Sequence, residues 1–204
     1  MYIPRNLTMD GDGVVADFIA AYGFGIMVSS DLVATHLPLQ YAPSKGELGT
    51  LYGHFARANP HWKALDSAKV LIIFNGPHAY ISPRWYANKP AVPTWNYAAV
   101  HCTGTLSLLD DDSNHDAMSA LIKQYEPELL DDADIMPADY RDKLSKAVVG
   151  FSVALDSIQG KEKLGQHRKP EDQKGVFAAL QQSNHLDAKA LAAYMQQRQI
   201  GIGL

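Results

Sequence analysis

The chain has 204 residues, of which 47% are hydrophobic and 20% are charged, and its formal net charge at pH 7 is −4. This length and composition are typical of one globular domain, or of one domain with a small appendage. Because the charge is negative and no basic stripe stands out, tight nucleic-acid binding is disfavoured.

Several other classes of protein are disfavoured by what the sequence lacks. No apolar run reaches about 18 residues and no secretion signal is visible, so we expect no membrane span and a cytoplasmic location. Cys102 is the single cysteine, which rules out an intrachain disulfide and a cysteine-based zinc site. Metal-ligand histidine spacing and nucleophile-elbow, Walker and Gly-x-Gly-x-x-Gly motifs are absent, so no metal, hydrolase, P-loop or Rossmann site is expected.

The first part of the chain predicts one helix followed by strands. Apolar residues recur at helical spacing over residues 13–22, which indicates an amphipathic helix. Strand-like runs at 25–30 and 34–39 flank Asp31 and predict a hairpin. A further strand is expected over 48–55.

The second part of the chain mixes strands with late helices. Residues 70–74 are wholly apolar and predict a buried strand, whereas residues 76–93 carry four prolines and predict a long irregular, functional loop. The remaining expectations are a strand at 97–109, a helix capped at Ser113, an acidic turn at 126–134, a helix after Pro137, a strand at 148–155 and a helical tail from Glu171. Since parallel strands need more helical crossovers than this order contains, we predict a mostly antiparallel barrel with helices outside it.

Residues 51–66 predict an anion site at the start of a helix. Asn59 suits the N-cap position and Pro60 the first helical position, and a helix start attracts anions. Arg57 precedes this start, and Lys63 lies one turn inside. We interpret the stretch as a phosphate pocket; the alternative is an ordinary capped helix with two solvated cations.

Three further stretches carry chemistry that a ligand could use. Thr35 and His36 lie on a predicted strand beside this loop, although a satisfied half-buried pair is the more frequent explanation. Aromatic residues with polar tips are concentrated at 77–86 and 93–97, which suits a ligand site or a subunit contact as well as loop anchoring. Residues 161–168 hold four possible cations, which form a solvated loop or a second clamp on an anion or a ring carbonyl.

Six blocks of the sequence resemble the PaiB family, whose members are described as FMN-binding negative transcriptional regulators. These blocks are residues 1–4, 34–39, 53–60, 76–83, 92–97 and 163–168. The resemblance runs from residue 1 to about residue 182. It implies a pyridoxamine-phosphate-oxidase-like split barrel, mainly β with flanking helices, that forms a homodimer and holds FMN between the subunits.

The resemblance also implies which residues contact FMN. Residues 1–182 would form the split-barrel FMN-binding domain, and residues 183–204 a helical C-terminal extension without an assigned role. The chain has Gly-Gln-His-Arg at 165–168 where the family usually has Ser-Gln-Asn-Arg. The cofactor candidates are His54, Arg57 and Asn59 on the phosphate side, Thr35, His36 and Leu37 on the ring side, and Trp95, Asn96, Lys163, Gln166 and Arg168 from across the subunit interface.

Two hypotheses for the function follow, with a third beside them. The first is an FMN-binding regulator acting as a homodimer; the net charge of −4 and the lack of a helix-turn-helix pattern count against direct DNA binding without excluding a local patch. The alternative is a flavin-dependent oxidoreductase in which His78, Tyr80, Tyr86 and Trp95 frame a small-molecule substrate. The third is haem binding, with His54 or His167 as an axial ligand. No catalytic residue is assigned.

Overall fold

The computed structural model describes the backbone of residues 1–204 and every side chain except that of Asp142. The strands are β1 (Phe24–Ser29), β2 (Ala34–Ala42), β3 (Thr50–Ala56), β4 (Lys69–Ile81), β5 (Thr94–Leu108) and β6 (Val148–Lys163). The α-helices are α1 (Val14–Ala21), α2 (Asp111–Tyr125), α3 (Ala138–Ser145), α4 (Pro170–Gln182) and α5 (Leu186–Arg198). Short 3₁₀ helices span Arg5–Leu7, Pro60–Ala64, Pro83–Trp85 and Pro127–Leu130. Along this described chain, no helix is both long and apolar enough to cross a membrane.

The strands close into a barrel in the order β1-β2-β3-β6-β5-β4. Strands β1 and β2 form the predicted antiparallel hairpin, in which Met27 pairs with Thr35. Strand β3 also pairs antiparallel with β6, and Phe55 lies opposite Val149. The prediction of an antiparallel barrel with flanking helices is therefore confirmed.

The chain divides into two compact units, and β4, β5 and β6 contribute residues to both. The barrel unit comprises Ala16–Phe74 and His101–Ile158. Its core is aliphatic and aromatic, and Gly53 makes room for it, because a Cβ at this position would lie 2.7 Å from Cζ of Phe151 and 2.8 Å from Cδ2 of Leu39. The fully buried side chains of this unit include Met27, Leu39, Leu51, Phe55, Phe74 and Phe151.

The tail unit comprises Met1–Val15, Asn75–Val100 and Gln159–Leu204. Its centre is Glu162, whose side chain is only 1% exposed. Arg198 of α5 donates two hydrogen bonds to this carboxylate, from Nε to Oε1 at 2.6 Å and from Nη2 to Oε2 at 3.1 Å. The Tyr194 hydroxyl donates to Oε1 as well, at 2.6 Å. The C-terminal helix is thus attached to β6 by a buried, two-point ion pair.

Several sequence predictions need correction. Residues 76–81 continue β4 and are not part of an irregular loop. The period-2 pattern is present there, with Ala79 and Ile81 buried and His78 and Tyr80 exposed, but Gly76 and Pro77 obscure it in the sequence. Strand β6 likewise runs eight residues beyond the predicted end at 155.

Two predicted helix starts also differ from the structure. Asp110 caps α2 by accepting a hydrogen bond from the Ser113 backbone N–H at 2.8 Å, so Ser113 is not the cap. The helix after Asn59 is a 3₁₀ helix of five residues, although its N-cap and its proline are as predicted. An aspartate before two further acidic residues suits a helix start as well as serine does, which is why the sequence did not separate the two.

We predict that Arg198→Ala lowers the free energy of unfolding by about 3–5 kcal/mol, because it leaves the Glu162 carboxylate buried without its cation. Urea unfolding followed by circular dichroism measures the change. Lys69→Ala is the matched control, because the Lys69–Asp156 ion pair is largely exposed and such pairs contribute at most about 1 kcal/mol. Equal losses in the two variants would contradict a structural role for the buried pair.

Candidate functional site

A buried histidine organises the loop at one end of the barrel unit. His61 is 7% exposed, and both of its ring nitrogens lie 2.8 Å from hydroxyl groups. Nδ1 faces Oγ1 of Thr35 on β2, and Nε2 faces Oγ of Ser29 on β1. Beside it, Asn59 donates from Nδ2 to the Thr35 hydroxyl at 3.3 Å. The residues of this network come from two strands and from the predicted phosphate loop.

The direction of these hydrogen bonds is set by the ends of the network. Asn59 Nδ2 can only donate, so the Thr35 hydroxyl accepts from it. At the other end the Ser29 hydroxyl donates to the Asp31 carboxylate. Because the Ser29 hydroxyl has only this one proton, it accepts from His61, whose Nε2 carries a proton and donates it. In the neutral ring Nδ1 is then an acceptor, and the Thr35 hydroxyl donates to it. Every donor points from Asn59 towards Asp31, which satisfies the network without an external group.

Sequence reasoning named Thr35 and Asn59 but missed Ser29, Asp31 and His61. A signal was available, because the alternation of β1 places Ser29 on the same face as the buried Met27. A polar residue at an inward-facing strand position predicts a buried partner.

The environment of His61 favours the neutral ring. Burial lowers the pKa of His61 below its ordinary value, and the Asp31 carboxylate partly opposes this change. The hydrogen bond from Ser29 is the main reason that the pKa of Asp31 is lowered. A neutral imidazole beside an ionised carboxylate is the arrangement that these two pKa shifts favour.

Arg57 lies at the exposed start of the same loop, and part of its guanidinium group is already engaged. Its Nε donates to the carbonyl of Lys146 at 2.6 Å, and its Nη2 donates to the carbonyl of Val148 at 2.8 Å. Its backbone N–H donates to the carbonyl of Ala147 at 2.8 Å. Among the described residues, Nη1 and the second hydrogen of Nη2 have no acceptor and could contact an anion. The phosphate role of Arg57 stays a prediction.

The ring-side candidates of β2 lie on two different faces. Leu37 is 5% exposed and belongs to the core, and Thr35 belongs to the His61 network. His36 points away from them and stacks against the exposed ring of Phe24, with the ring centroids 6.0 Å apart. Of these three side chains, that of His36 is exposed and that of Thr35 is half-buried.

His54 on β3 has a buried, unpartnered nitrogen. Its Nδ1 is buried without a hydrogen-bond partner among the described residues, and burial lowers the pKa of the ring. His54 pairs in register with Gly150, and Asn114 of α2 packs so closely on Gly150 that a Cβ there would lie 2.2 Å from its Oδ1. The structure thus places His54 beside Gly150 and not in the His61 network.

Three cationic or titratable side chains of the tail unit lie close together at the end of β6: Lys163, His167 and Arg168. Lys163 Nζ donates to the Thr94 hydroxyl at 2.5 Å, and the Arg168 guanidinium lies 4.6 Å from the centre of the Tyr86 ring. Burial lowers the pKa of His167, and the charges of Arg168 and Lys163 lower it further. This local positive potential suits an anionic group.

Arg168 has a donor that the protein leaves unused. Its Nε is buried and has no hydrogen-bond partner among the described residues.

Gln166, by contrast, is fully engaged: its Oε1 accepts from the Leu164 N–H at 2.8 Å, and its Nε2 donates to the Glu162 carbonyl at 2.7 Å and to the Asn6 carbonyl at 3.2 Å. Asn96 is 3% exposed, and a Cβ on Gly165 would lie 3.5 Å from its Nδ2. The hydrogen bonds of Gln166 therefore stabilise the turn that lies between Lys163 and Arg168.

Trp95 belongs to an exposed aromatic cluster of the same unit. Its ring lies 5.6 Å from that of His78 and 6.4 Å from that of Tyr80, which it meets edge-on at 77°. A cavity of about 380 Å³ is lined by these rings together with Trp85, His185 and Asp187. Tyr86, the fourth residue predicted to frame a substrate, is buried beneath Arg168 and does not line this cavity. Among the described side chains, no three His, Cys, Asp or Glu residues are grouped to hold a metal ion.

Comparison with known proteins places the chain in a family. Residues 1–157 match the model of a family described as "Putative FMN-binding domain". The chain is 35% identical over 207 residues to the Protease synthase and sporulation protein PAI 2 of Bacillus subtilis, covering 97% of this chain and 98% of that protein. The chain belongs to the FMN-binding PaiB family.

Solved structures show the PaiB-type fold in other proteins. The flavocytochrome Anf3 from Azotobacter vinelandii has a TM-score of 0.57 at 14% identity, over 80% of this chain and 73% of that chain. The FAD and heme binding protein from Mycobacterium smegmatis has a TM-score of 0.53 at 14% identity, over 76% of this chain and 72% of that chain. These likenesses confirm the pyridoxamine-phosphate-oxidase-like split barrel that the sequence predicts.

FMN is the cofactor of this family member, and the donors of the tail unit fit it. The unused Nε of Arg168 and the ammonium group of Lys163 are suited to an anionic or carbonyl oxygen. When bound, FMN supplies hydride and one-electron transfer. The protein residues contribute binding and orientation.

We predict that Arg57→Ala weakens FMN binding by roughly 2–4 kcal/mol, because a phosphate oxygen loses its charged partner. Fluorescence titration of the apoprotein with FMN measures the dissociation constant. Lys45→Ala removes an exposed cation outside the predicted phosphate pocket and is the control. Equal FMN affinity in Arg57→Ala and the unmodified protein would refute the phosphate assignment.

We predict that stability falls as the pH is lowered from 7 to 5. Because the pKa of His61 is below the value of about 6.5 in an unfolded chain, the unfolded state binds a proton that the folded state does not. The contribution of His61 to the free energy of unfolding is thus constant above about pH 6.5 and falls below it, by at most about 1.4 kcal/mol per pH unit. Urea unfolding at a series of pH values measures the slope.

His61→Gln is expected to reduce this slope, and His36→Gln, at an exposed position, to preserve it. A slope unchanged by His61→Gln would show that the buried ring does not titrate with unfolding.

Proposed function

We propose that this protein is a homodimeric, FMN-binding negative regulator of transcription. The observation that carries the proposal is the correspondence with PAI 2, which extends over nearly the full length of both chains. A match of this extent leaves no large segment of either protein without a counterpart. The regulatory role is the one that the PaiB resemblance implies.

In this proposal three sets of residues contact FMN. The phosphate side consists of His54, Arg57 and Asn59. The ring side of β2 consists of Thr35, His36 and Leu37, of which Leu37 contributes its backbone because its side chain is buried. The second subunit supplies Trp95, Asn96, Lys163, Gln166 and Arg168. Support comes from the unengaged N–H groups of Arg57, the exposure of His36 and the unused Nε of Arg168.

The homodimer is supported by exposed aromatic surface. Trp95 is 52% exposed and Tyr80 is 48% exposed, although the two rings form one cluster with His78. Contiguous exposed apolar surface on a folded chain typically marks an interaction site, and aromatic residues are enriched in such interfaces. A second copy of the chain would cover this cluster.

The alternative function, a flavin-dependent oxidoreductase, has one specific observation in its favour. Three of the four side chains expected to frame a substrate, His78, Tyr80 and Trp95, do line a common cavity of about 380 Å³. Such a cavity is large enough for a small organic substrate.

We expect the FMN-loaded protein to retard a DNA fragment that covers the promoter region upstream of its own coding sequence. Retardation should weaken as salt is added, because phosphate contacts release counterions. An electrophoretic mobility-shift assay measures it, with an unrelated fragment of equal length as the control.

Light scattering of the FMN-loaded protein without DNA is expected to give twice the chain mass of 22.4 kDa.

Two outcomes would contradict the proposal. The absence of any shift at low salt would remove direct DNA binding, and a mass of one chain would remove the homodimer. Bleaching of the flavin absorbance by NAD(P)H in a protein that shifts no DNA would favour the oxidoreductase.

A further inference from the structure

The barrel unit contains an apolar groove that the FMN hypothesis does not use. It has a volume of about 260 Å³ and lies between α2, α3 and the first residues of β6. Met118 and Ile122 of α2, Met136 and Leu144 form most of its walls. Met118 and Ile122 are four residues apart on α2, so one face of that helix is directed into the groove.

One half-buried charged side chain interrupts these apolar walls. Arg141 of α3 lines the groove, and its Nε is buried without a hydrogen-bond partner among the described residues. A buried donor without a partner costs free energy, and more so when the group is charged. The missing partner is therefore an acceptor that enters the groove, and an anionic oxygen satisfies both the hydrogen bond and the charge.

The dimensions and the lining restrict the chemical class of this ligand. A volume of about 260 Å³ lies just below the range of about 300–1,000 Å³ that is typical of ligand pockets, which suits a small ligand. The apolar walls disfavour a strongly hydrated dianion such as phosphate. An apolar body with one carboxylate matches both the walls and the single guanidinium group.

The groove shares backbone with Arg57. Ala147 and Val148 line the groove, and the carbonyls of 146–148 accept all three hydrogen bonds that Arg57 donates. A ligand that shifts this segment also shifts the guanidinium group. The groove and the predicted phosphate contact are therefore physically connected within the barrel unit.

We propose that this groove binds a small amphipathic monocarboxylate, and that its occupancy changes FMN affinity through Arg57. The binding site rests on Arg141 and the apolar walls. The effect on FMN rests in addition on the proposed function of Arg57 as a phosphate ligand.

Isothermal titration of the FMN-loaded protein with octanoate tests the binding site, with octanol as the uncharged analogue. Octanoate is expected to bind more tightly than octanol, with a dissociation constant on the order of 1 mM or below. Arg141→Gln is expected to raise the octanoate dissociation constant about ten-fold and to leave octanol binding unchanged. Lys143→Gln removes an exposed cation from the same helix and is the matched control.

Ser119→Leu provides a second variant, because a larger side chain in the groove wall should block octanoate and octanol alike. The site is overturned if octanoate does not bind, if octanol binds equally well, or if Arg141→Gln and Lys143→Gln have the same effect. If the monomer binds octanoate and the dimer does not, a second copy of the chain occupies the groove, and this result also overturns the proposal.

The effect on FMN is tested separately. Saturating octanoate is expected to change the FMN dissociation constant about five-fold, and FMN to change the octanoate dissociation constant by the same factor. Octanoate binding with an unchanged FMN dissociation constant would overturn the connection through Arg57 and retain the site. If Arg57→Ala leaves FMN affinity unchanged while octanoate still binds, the phosphate assignment fails and the groove does not.

Discussion

The loop that precedes the Pro60–Ala64 helix depends on one buried imidazole. His61 must find partners for both ring nitrogens inside the barrel, and Thr35 and Ser29 provide them from adjacent strands. Asn59 contributes twice, because its Oδ1 accepts from the His61 N–H at 3.0 Å while its Nδ2 donates to Thr35. The network thereby fixes the start of the helix, and with it the position from which Arg57 reaches β6.

Four arginines of this chain differ in how their donors are satisfied, and the difference separates structure from binding. Arg198 meets a buried carboxylate and attaches the C-terminal helix. Arg57 donates to backbone carbonyls and keeps only part of its guanidinium group for a ligand. Arg141 and Arg168 each have a buried Nε without a partner among the described residues. Because an unpartnered buried donor costs free energy, Arg141 and Arg168 are the arginines at which a bound acceptor contributes most to the free energy of binding.

Much of the fold could be predicted from periodicity, and the failures have physical causes. Burial alternates without interruption along β1 and β3, and the prediction of these two strands and of the β1–β2 hairpin was correct. In β4, Gly76 and Pro77 interrupt the pattern, yet the strand continues because Ala79 and Ile81 still face inward. The role of α5 could not be predicted, since its attachment depends on Glu162, a residue that composition alone assigns to a solvated loop. Thr35 and Asn59 could be named as candidate site residues from the sequence. The hydrogen bonds that Arg57 and Gln166 donate to backbone carbonyl groups could not, because they depend on tertiary contacts.

The absorbance spectrum of the purified protein, with the bound chromophore released and quantified, tests the central claim most directly. A flavin spectrum with one FMN per chain is the result that the account predicts. A haem Soret band, or a protein that remains colourless after incubation with FMN, would contradict it.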